Sequence, residues 1–257
     1  MRSKSSFRFF IIFALIAMLA AFPFSAGASH SWGNYHWART SNPFTLKLGD
    51  NVNSTWDPIL ATTSSDWSAS SVLDTVIVAG HVSSKSLKRC PATSGMVEVC
   101  NTTYGNNGWL GVAQIWANGD HITQGTVKLN DTYFNTPTYN TTAWRNLVSC
   151  QEVGHTFGLD HQDEVFDNPN LNTCMDYTNN PGSNQHPNAH DYEQLELIYA
   201  HLDSTTTVTA APAGFANADV HAQVNWGEKV SDNGKSALFV RDFGNRFKIF
   251  TFVIWAQ

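Results

Sequence analysis

Between residues 41 and 134, short apolar runs are separated by turn-forming residues, and the runs have the lengths of strands and one helix. The segment SNPFTLKLGDNV (41–52) reads as a strand. STWDPILATTSSDWSASSVL (54–73) reads as a helix, with Trp56, Ile59, Leu60 and Trp67 near helical spacing. DTVIVAG (74–80) has the length and apolarity of a short buried strand. MVEVC (96–100), WLGVAQIW (109–116) and GTVKLNDTYF (125–134) are three further strand candidates, set apart by Gly- and Asn-rich turns.

The period changes near residue 140. Asn140 and Thr141 are of helix-capping type, and beyond Ala143 the positions Trp144, Leu147, Val148, Gln151 and His155 fall at i, i+3, i+4, i+7 and i+11. Two polar side chains thus continue an apolar stripe. They are either satisfied buried groups, or the stripe runs out of the core into a cleft where they meet something polar such as a metal. NAHDYEQLELIYAHL (188–202) predicts a second helix capped by Asn188, with Tyr192, Leu195 and Tyr199 on one face. The Thr- and Ala-rich stretch that follows reads as a linker over 203–216. SALFVRDFGNRFKIFTFVIWAQ (236–257) reads as a β-hairpin turning around 242–245, within a C-terminal segment 217–257. Its second strand is apolar on both faces and must be covered.

The N-terminus changes the compartment. Arg2, Lys4 and Arg8 precede an apolar run from Phe9 to Phe22, and Ala26-Gly27-Ala28 supplies a small-residue cleavage site, so residues 1–28 read as a secretory signal peptide. Its removal takes three of fifteen basic residues and no acidic ones, leaving 12 against 21 and a net charge of −9. That balance argues against nucleic acid as a partner. No later segment has the length and apolarity of a membrane span. One main domain is expected over 29–202. Four cysteines allow three disulfide pairings in an exported chain, and Cys90–Cys100 is favoured because it closes a short loop. Asn53, Asn101, Asn130 and Asn140 stand in N-x-S/T sequences and would accept glycans in a eukaryotic secretory pathway.

The chemistry-bearing stretch is QEVGHTFGLDH (151–161). On a helix, residues 151 and 155 share a face, Glu152 lies one position round, and Gly158 permits the chain to leave the helix so that His161 returns to the same point. The segment resembles the active-site helix of the metzincin metalloproteases, with Glu152, His155, Gly158 and His161 at the family's positions and Gln151 where the first histidine ligand stands. NTCMDY (172–177) is similar to the family's Met-turn, with Met175 beneath the metal, and LELIYAH (195–201) is similar to the closing helix of matrixins. The specific motifs lie within 142–202, although the resemblance spans roughly 33–202.

The resemblance implies an α+β, matrixin-like catalytic domain. It would contain a twisted, mostly parallel sheet, an active-site helix, a Met-turn and a C-terminal helix, followed here by the small hairpin. It implies one catalytic Zn2+ held by His155, His161 and Gln151, with Glu152 as general base, Tyr177 as oxyanion stabiliser, and a protein or peptide substrate. A Cys150–Cys174 bridge would then lock the Met-turn to the helix. Gln offers a weaker zinc donor than imidazole. Three outcomes stay open: a weakened zinc endopeptidase, a metal site in which Glu152 itself ligates with His155 and His161, or an inactive fold that binds protein segments. The carboxylate-rich DHQDEVFDNPN (160–170) offers donors for Ca2+ but fits no defined loop, and no calcium site is assigned. His121 reads as a surface or edge residue, and His186 and His190 as solvated.

Overall fold

The computed structural model describes residues 29–208 and 218–257. The signal-peptide segment 1–28 and most of the expected linker lie outside the described residues. The chain order is β1 (His36–Trp37), β2 (Phe44–Asn51), α1 (Asp57–Trp67), β3 (Leu73–Ala79), β4 (Met96–Thr102), β5 (Trp109–Asn118), β6 (His121–Asn130), α2 (Asp131–Phe134) and α3 (Thr142–His155). There follow α4 (Ala189–Ile198), β7 (Glu228–Asp232), β8 (Ser236–Gly244) and β9 (Phe247–Trp255). The architecture is α+β, with the strands in one sheet of order β3-β2-β4-β6-β5-β9-β8-β7 and β1 beside β6.

Over 36–130 the sheet is mostly parallel, as expected for the main domain, and the C-terminal strands make the whole sheet mixed. Pairings β1/β6, β2/β3, β2/β4 and β4/β6 are parallel, whereas β5/β6, β5/β9, β7/β8 and β8/β9 are antiparallel. The C-terminal strands cause the shift, because β9 pairs with β5 along its whole length, from Trp109↔Trp255 to Asn118↔Phe247. The C-terminal segment therefore continues the main sheet, and it contributes three strands instead of a lone hairpin. The two-faced apolarity of β9 is explained by its position. Phe250, Phe252 and Ile254 enter the core beneath the helices, while Ile249 and Val253 face a second core with Trp109, Val112, Trp116, Val220 and Trp226.

Two local expectations are corrected. The strand read over 74–80 lies at the sheet edge, and Val76 and Ile77 are exposed rather than buried. The strand read over 125–134 ends at Asn130, whose side chain accepts the Thr132 N–H at 3.1 Å and turns the chain into the single-turn α2. Two of the expected glycan acceptors, Asn101 and Asn130, are buried and hydrogen-bonded, so only Asn53 and Asn140 are exposed for that role. The start of the expected linker is also fixed in place: Thr207 donates its N–H to Ala38 at 2.9 Å and accepts the Ala38 N–H at 3.0 Å.

Helix α3 packs with α1 on one face of the sheet, and the Trp67 indole N–H reaches the Cys150 carbonyl at 3.1 Å. The four cysteines form the disulfides Cys90–Cys100 and Cys150–Cys174. Asn188 and Asp191 close α4 with a reciprocal capping box. Among the described residues no helix is long and apolar enough to cross a membrane.

Candidate metal centre

Helix α3 begins where the sequence places it. Thr141 caps it by accepting the Trp144 N–H at 3.2 Å, and every residue from Arg145 to His155 is buried. Gln151 is 1% exposed, yet neither its amide oxygen nor its amide nitrogen has a hydrogen-bond partner. Glu152 is equally buried. One carboxyl oxygen, Oε2, has no partner, while the carboxyl group accepts the Ala113 backbone N–H. His155 donates Nδ1–H to the Leu159 carbonyl at 2.9 Å, so in the neutral ring Nε2 carries the lone pair. An unpaired buried polar group costs about 1–3 kcal/mol. A helix turn that leaves several such groups together is shaped for something that satisfies them.

Gly158 ends this unit. Its φ of +99° is open to glycine, and a Cβ there would collide with the Tyr35 carbonyl oxygen. The reversal brings His161 back to His155, with ring centroids 4.5 Å apart and planes at 81°. Neither ring nitrogen of His161 makes an aligned hydrogen bond, although Nδ1 lies 3.3 Å from both the Asp160 and Glu164 carboxylates.

Burial pushes Glu152 up to about 8 and His155 down to about 3, with His161 adding to the second shift. For His161 burial opposes the charge, but Asp160 and Glu164 outweigh it and hold the ring at about 9. Among the described residues, Asp160, His161 and Glu164 form one set whose ligand atoms lie within 4.8 Å of one another; Glu152, His155 and His161 do not form such a set. Coordination by Glu152 with the two histidines thus lacks a converged geometry. The carboxylates of 160–170 are engaged nearby, with Asp163 accepting the Val165 N–H at 2.6 Å and a second bond from Asn168.

Met175 is fully buried under α3, and a Cβ on Gly154 would stand 2.8 Å from its sulfur. Its carbonyl accepts the Gln162 N–H at 2.6 Å, and the Tyr177 N–H reaches the Asp163 carbonyl at 3.1 Å, so the segment after Gly158 is tied to residues 175–177. Cys150–Cys174 adds a covalent tie between the same two segments. Tyr177 lies 4.2 Å from the His161 ring and stacks on Phe166 at 5.1 Å, and burial raises its hydroxyl well above the usual phenol range. The sequence-derived set of Gln151, Glu152, His155, Gly158, His161, Met175 and Tyr177 therefore gathers in one place.

Residues that the sequence did not mark also reach this site. Phe252 of β9 stacks on the His155 ring at 4.4 Å and 12°, Ser236 at the start of β8 hydrogen-bonds the Tyr177 hydroxyl, and Lys235 stands over the Phe166 ring. No local pattern could mark Phe252 or Ser236, because only the β5/β9 pairing carries them across the helix.

The orphaned groups fit a divalent cation. The Gln151 amide oxygen, the His155 Nε2 lone pair and, once a metal displaces its proton, the His161 Nε2 are donors of the types that zinc accepts, and two of the three residues hold buried polar atoms without a partner. No protein-family model and no curated protein matches this chain.

Proposed function

We propose that the protein is a secreted, metzincin-like zinc endopeptidase whose C-terminal strands close its cleft. The observation that carries this reading is the set of buried, unpaired polar atoms on Gln151, Glu152 and His161 around the His155 ring. Gln151, His155 and His161 would hold the zinc. When bound, that ion supplies the Lewis acidity that makes water a competent nucleophile near neutral pH.

The rest belongs to the chain itself. The Glu152 carboxyl is held by the Ala113 N–H and leaves Oε2 free, and its raised affinity for protons suits a base that takes a proton from water and returns it to the leaving amine. The Tyr177 oxygen accepts from Ser236, which leaves its own hydrogen to be donated to a developing oxyanion. An extended peptide that binds along α3 by strand addition needs the edge of β5, and β9 occupies that edge. With Phe252 stacked on His155 and β9 on the β5 edge, this arrangement covers the helix site. The two disulfides and the signal-type N-terminus support export.

The test compares Phe252→Ala with the double variant Phe252→Ala/Glu152→Gln, each given zinc and an unfolded protein substrate. The single variant should cleave it. The double variant should lose about 10²- to 10⁴-fold in rate with unchanged zinc content. Equal cleavage by both removes Glu152 from the mechanism. Loss of zinc with Glu152 makes that residue a ligand instead. No cleavage by either variant would favour an inactive fold that binds protein segments.

A further inference from the structure

Away from the helix site, four side chains from distant parts of the chain meet at the edge of the β1/β6 pairing. The parallel register sets His36 directly opposite His121, and the chain leaving α4 brings His201 and Asp203 to the same spot. His36 Nε2 lies 3.1 Å from His201 Nε2 and 3.5 Å from Asp203 Oδ1. Asp203 Oδ1 lies 3.2 Å from His121 Nε2 and 3.7 Å from His201 Nε2. Four ligands at zinc's bond lengths stand about 3.3 Å apart around a tetrahedron. The separations within His36, His201 and Asp203, 3.1, 3.5 and 3.7 Å, bracket that value and these three form one converged set, whose ligand atoms His121 meets through Asp203 alone.

The surroundings prepare these atoms for a cation. His36 Nδ1 sits 2.7 Å from the Asn34 carbonyl, which can only accept, so this nitrogen carries the hydrogen. In a neutral ring the Nε2 lone pair then faces a carboxylate oxygen and a second imidazole nitrogen. His201 can donate an Nε2–H to that lone pair at 3.1 Å, and a cation between the two rings takes the place of that hydrogen. Arg39 fixes the carboxylate: its backbone N–H and Nη1 both bind Asp203 Oδ2, at 3.2 and 2.9 Å, leaving Oδ1 to point at the histidines. Arg39 also donates to the His201 carbonyl and is itself buried over the Tyr199 ring. This is the pattern of outer groups that orient metal ligands. His36 and Asp203 are held inside, whereas His121 and His201 are 39% and 54% exposed, so an ion can enter from solvent. A cavity of about 510 Å³ lined by Asn34, His36, Asp120 and His201 adjoins the cluster.

We propose that His36, His201 and Asp203, joined by His121 when its half-exposed ring turns toward the ion, form a second, structural zinc site that clamps the N-terminal segment, the start of β6 and the exit of α4 together. With His121 turned in, four protein ligands leave no open position, which separates it from a catalytic centre. Three imidazoles select zinc-type ions over calcium or magnesium.

The test uses zinc chloride titrated into the purified protein and into His121→Ala and His201→Ala, both at partly exposed positions. His201→Ala should bind one equivalent fewer than the wild type, His121→Ala should bind that equivalent more weakly, and the zinc-induced rise in Tm should shrink in both. That difference of one equivalent stands whether or not the helix site takes zinc, so the two readings succeed or fail separately. In the cobalt-loaded wild type, one of the tetrahedral-type visible absorptions should disappear with His201→Ala. Equal zinc uptake by all three proteins, with chelator-competition curves that superimpose, would overturn the site.

Discussion

The two histidine clusters are built in opposite ways. Gln151, His155 and His161 lie within eleven consecutive residues, on one helix and the turn that Gly158 makes possible. His36, His121, His201 and Asp203 span most of the domain and meet only through a parallel strand pairing and the end of α4. The first cluster is deeply buried and covered by Phe252; the second opens to water on two of its four members. The first leaves several polar atoms unpaired, whereas the second has its carboxylate oriented by Arg39. A metal site can therefore be encoded by spacing along a helix or by topology, and only the first kind can be read without the fold. The clusters are also mechanically linked. The Trp32 and Trp37 indoles, in the segment that carries His36, donate to the His155 and Thr156 carbonyls at 3.1 and 2.8 Å.

The largest separation between the clusters should come from the cover. Phe252→Ala removes a ring that is 3% exposed, and its loss should cost about 3–5 kcal/mol of stability in urea unfolding. Peptide cleavage should rise severalfold, while zinc retention at the His36 cluster stays as it was. Destabilisation without any gain in cleavage would mean that β9 is only a core strand and not a lid.

A smaller effect is expected from the paired substitution Cys150→Ala/Cys174→Ala. The bridge spans 24 residues, so its loss should cost about 3 kcal/mol. It should also loosen zinc at the helix cluster, because Met175 and Gly154 are held in contact by the same tie. Zinc affinity at the His36 cluster should not change. A uniform loss at both sites would show that the disulfide acts on the whole fold instead of the floor of one centre.

What the sequence revealed follows the same division. The caps at Thr141 and Asn188 and the reversal at Gly158 were legible because each depends on contacts near in sequence or on a strongly patterned helix, whereas the gathering of residues 151–161 with 175–177 was expected only from the resemblance of the two motifs to a known family. The closing of β9 onto β5 was not legible. An apolar strand announces that it will be covered but not by which neighbour, and that pairing also turned an expected mostly parallel sheet into a mixed one. His121 is the partly exposed edge residue that the sequence predicts, but its meeting with His36 was not legible for the same reason: the register that joins them pairs residues 85 apart in the chain. The exposed edge at Val76 and Ile77 was missed because apolarity alone does not distinguish a central strand from a lateral one.

The account depends most on Gln151 facing a metal. Chelator competition for zinc on His201→Ala and on His201→Ala/Gln151→His, with the second cluster disabled in both, isolates the helix site. The histidine on an unchanged helix face should raise zinc affinity by about tenfold or more, equivalent to about 1.4 kcal/mol. Identical competition curves for the two proteins would show that position 151 does not face the ion, and the proposed catalytic centre would have no basis.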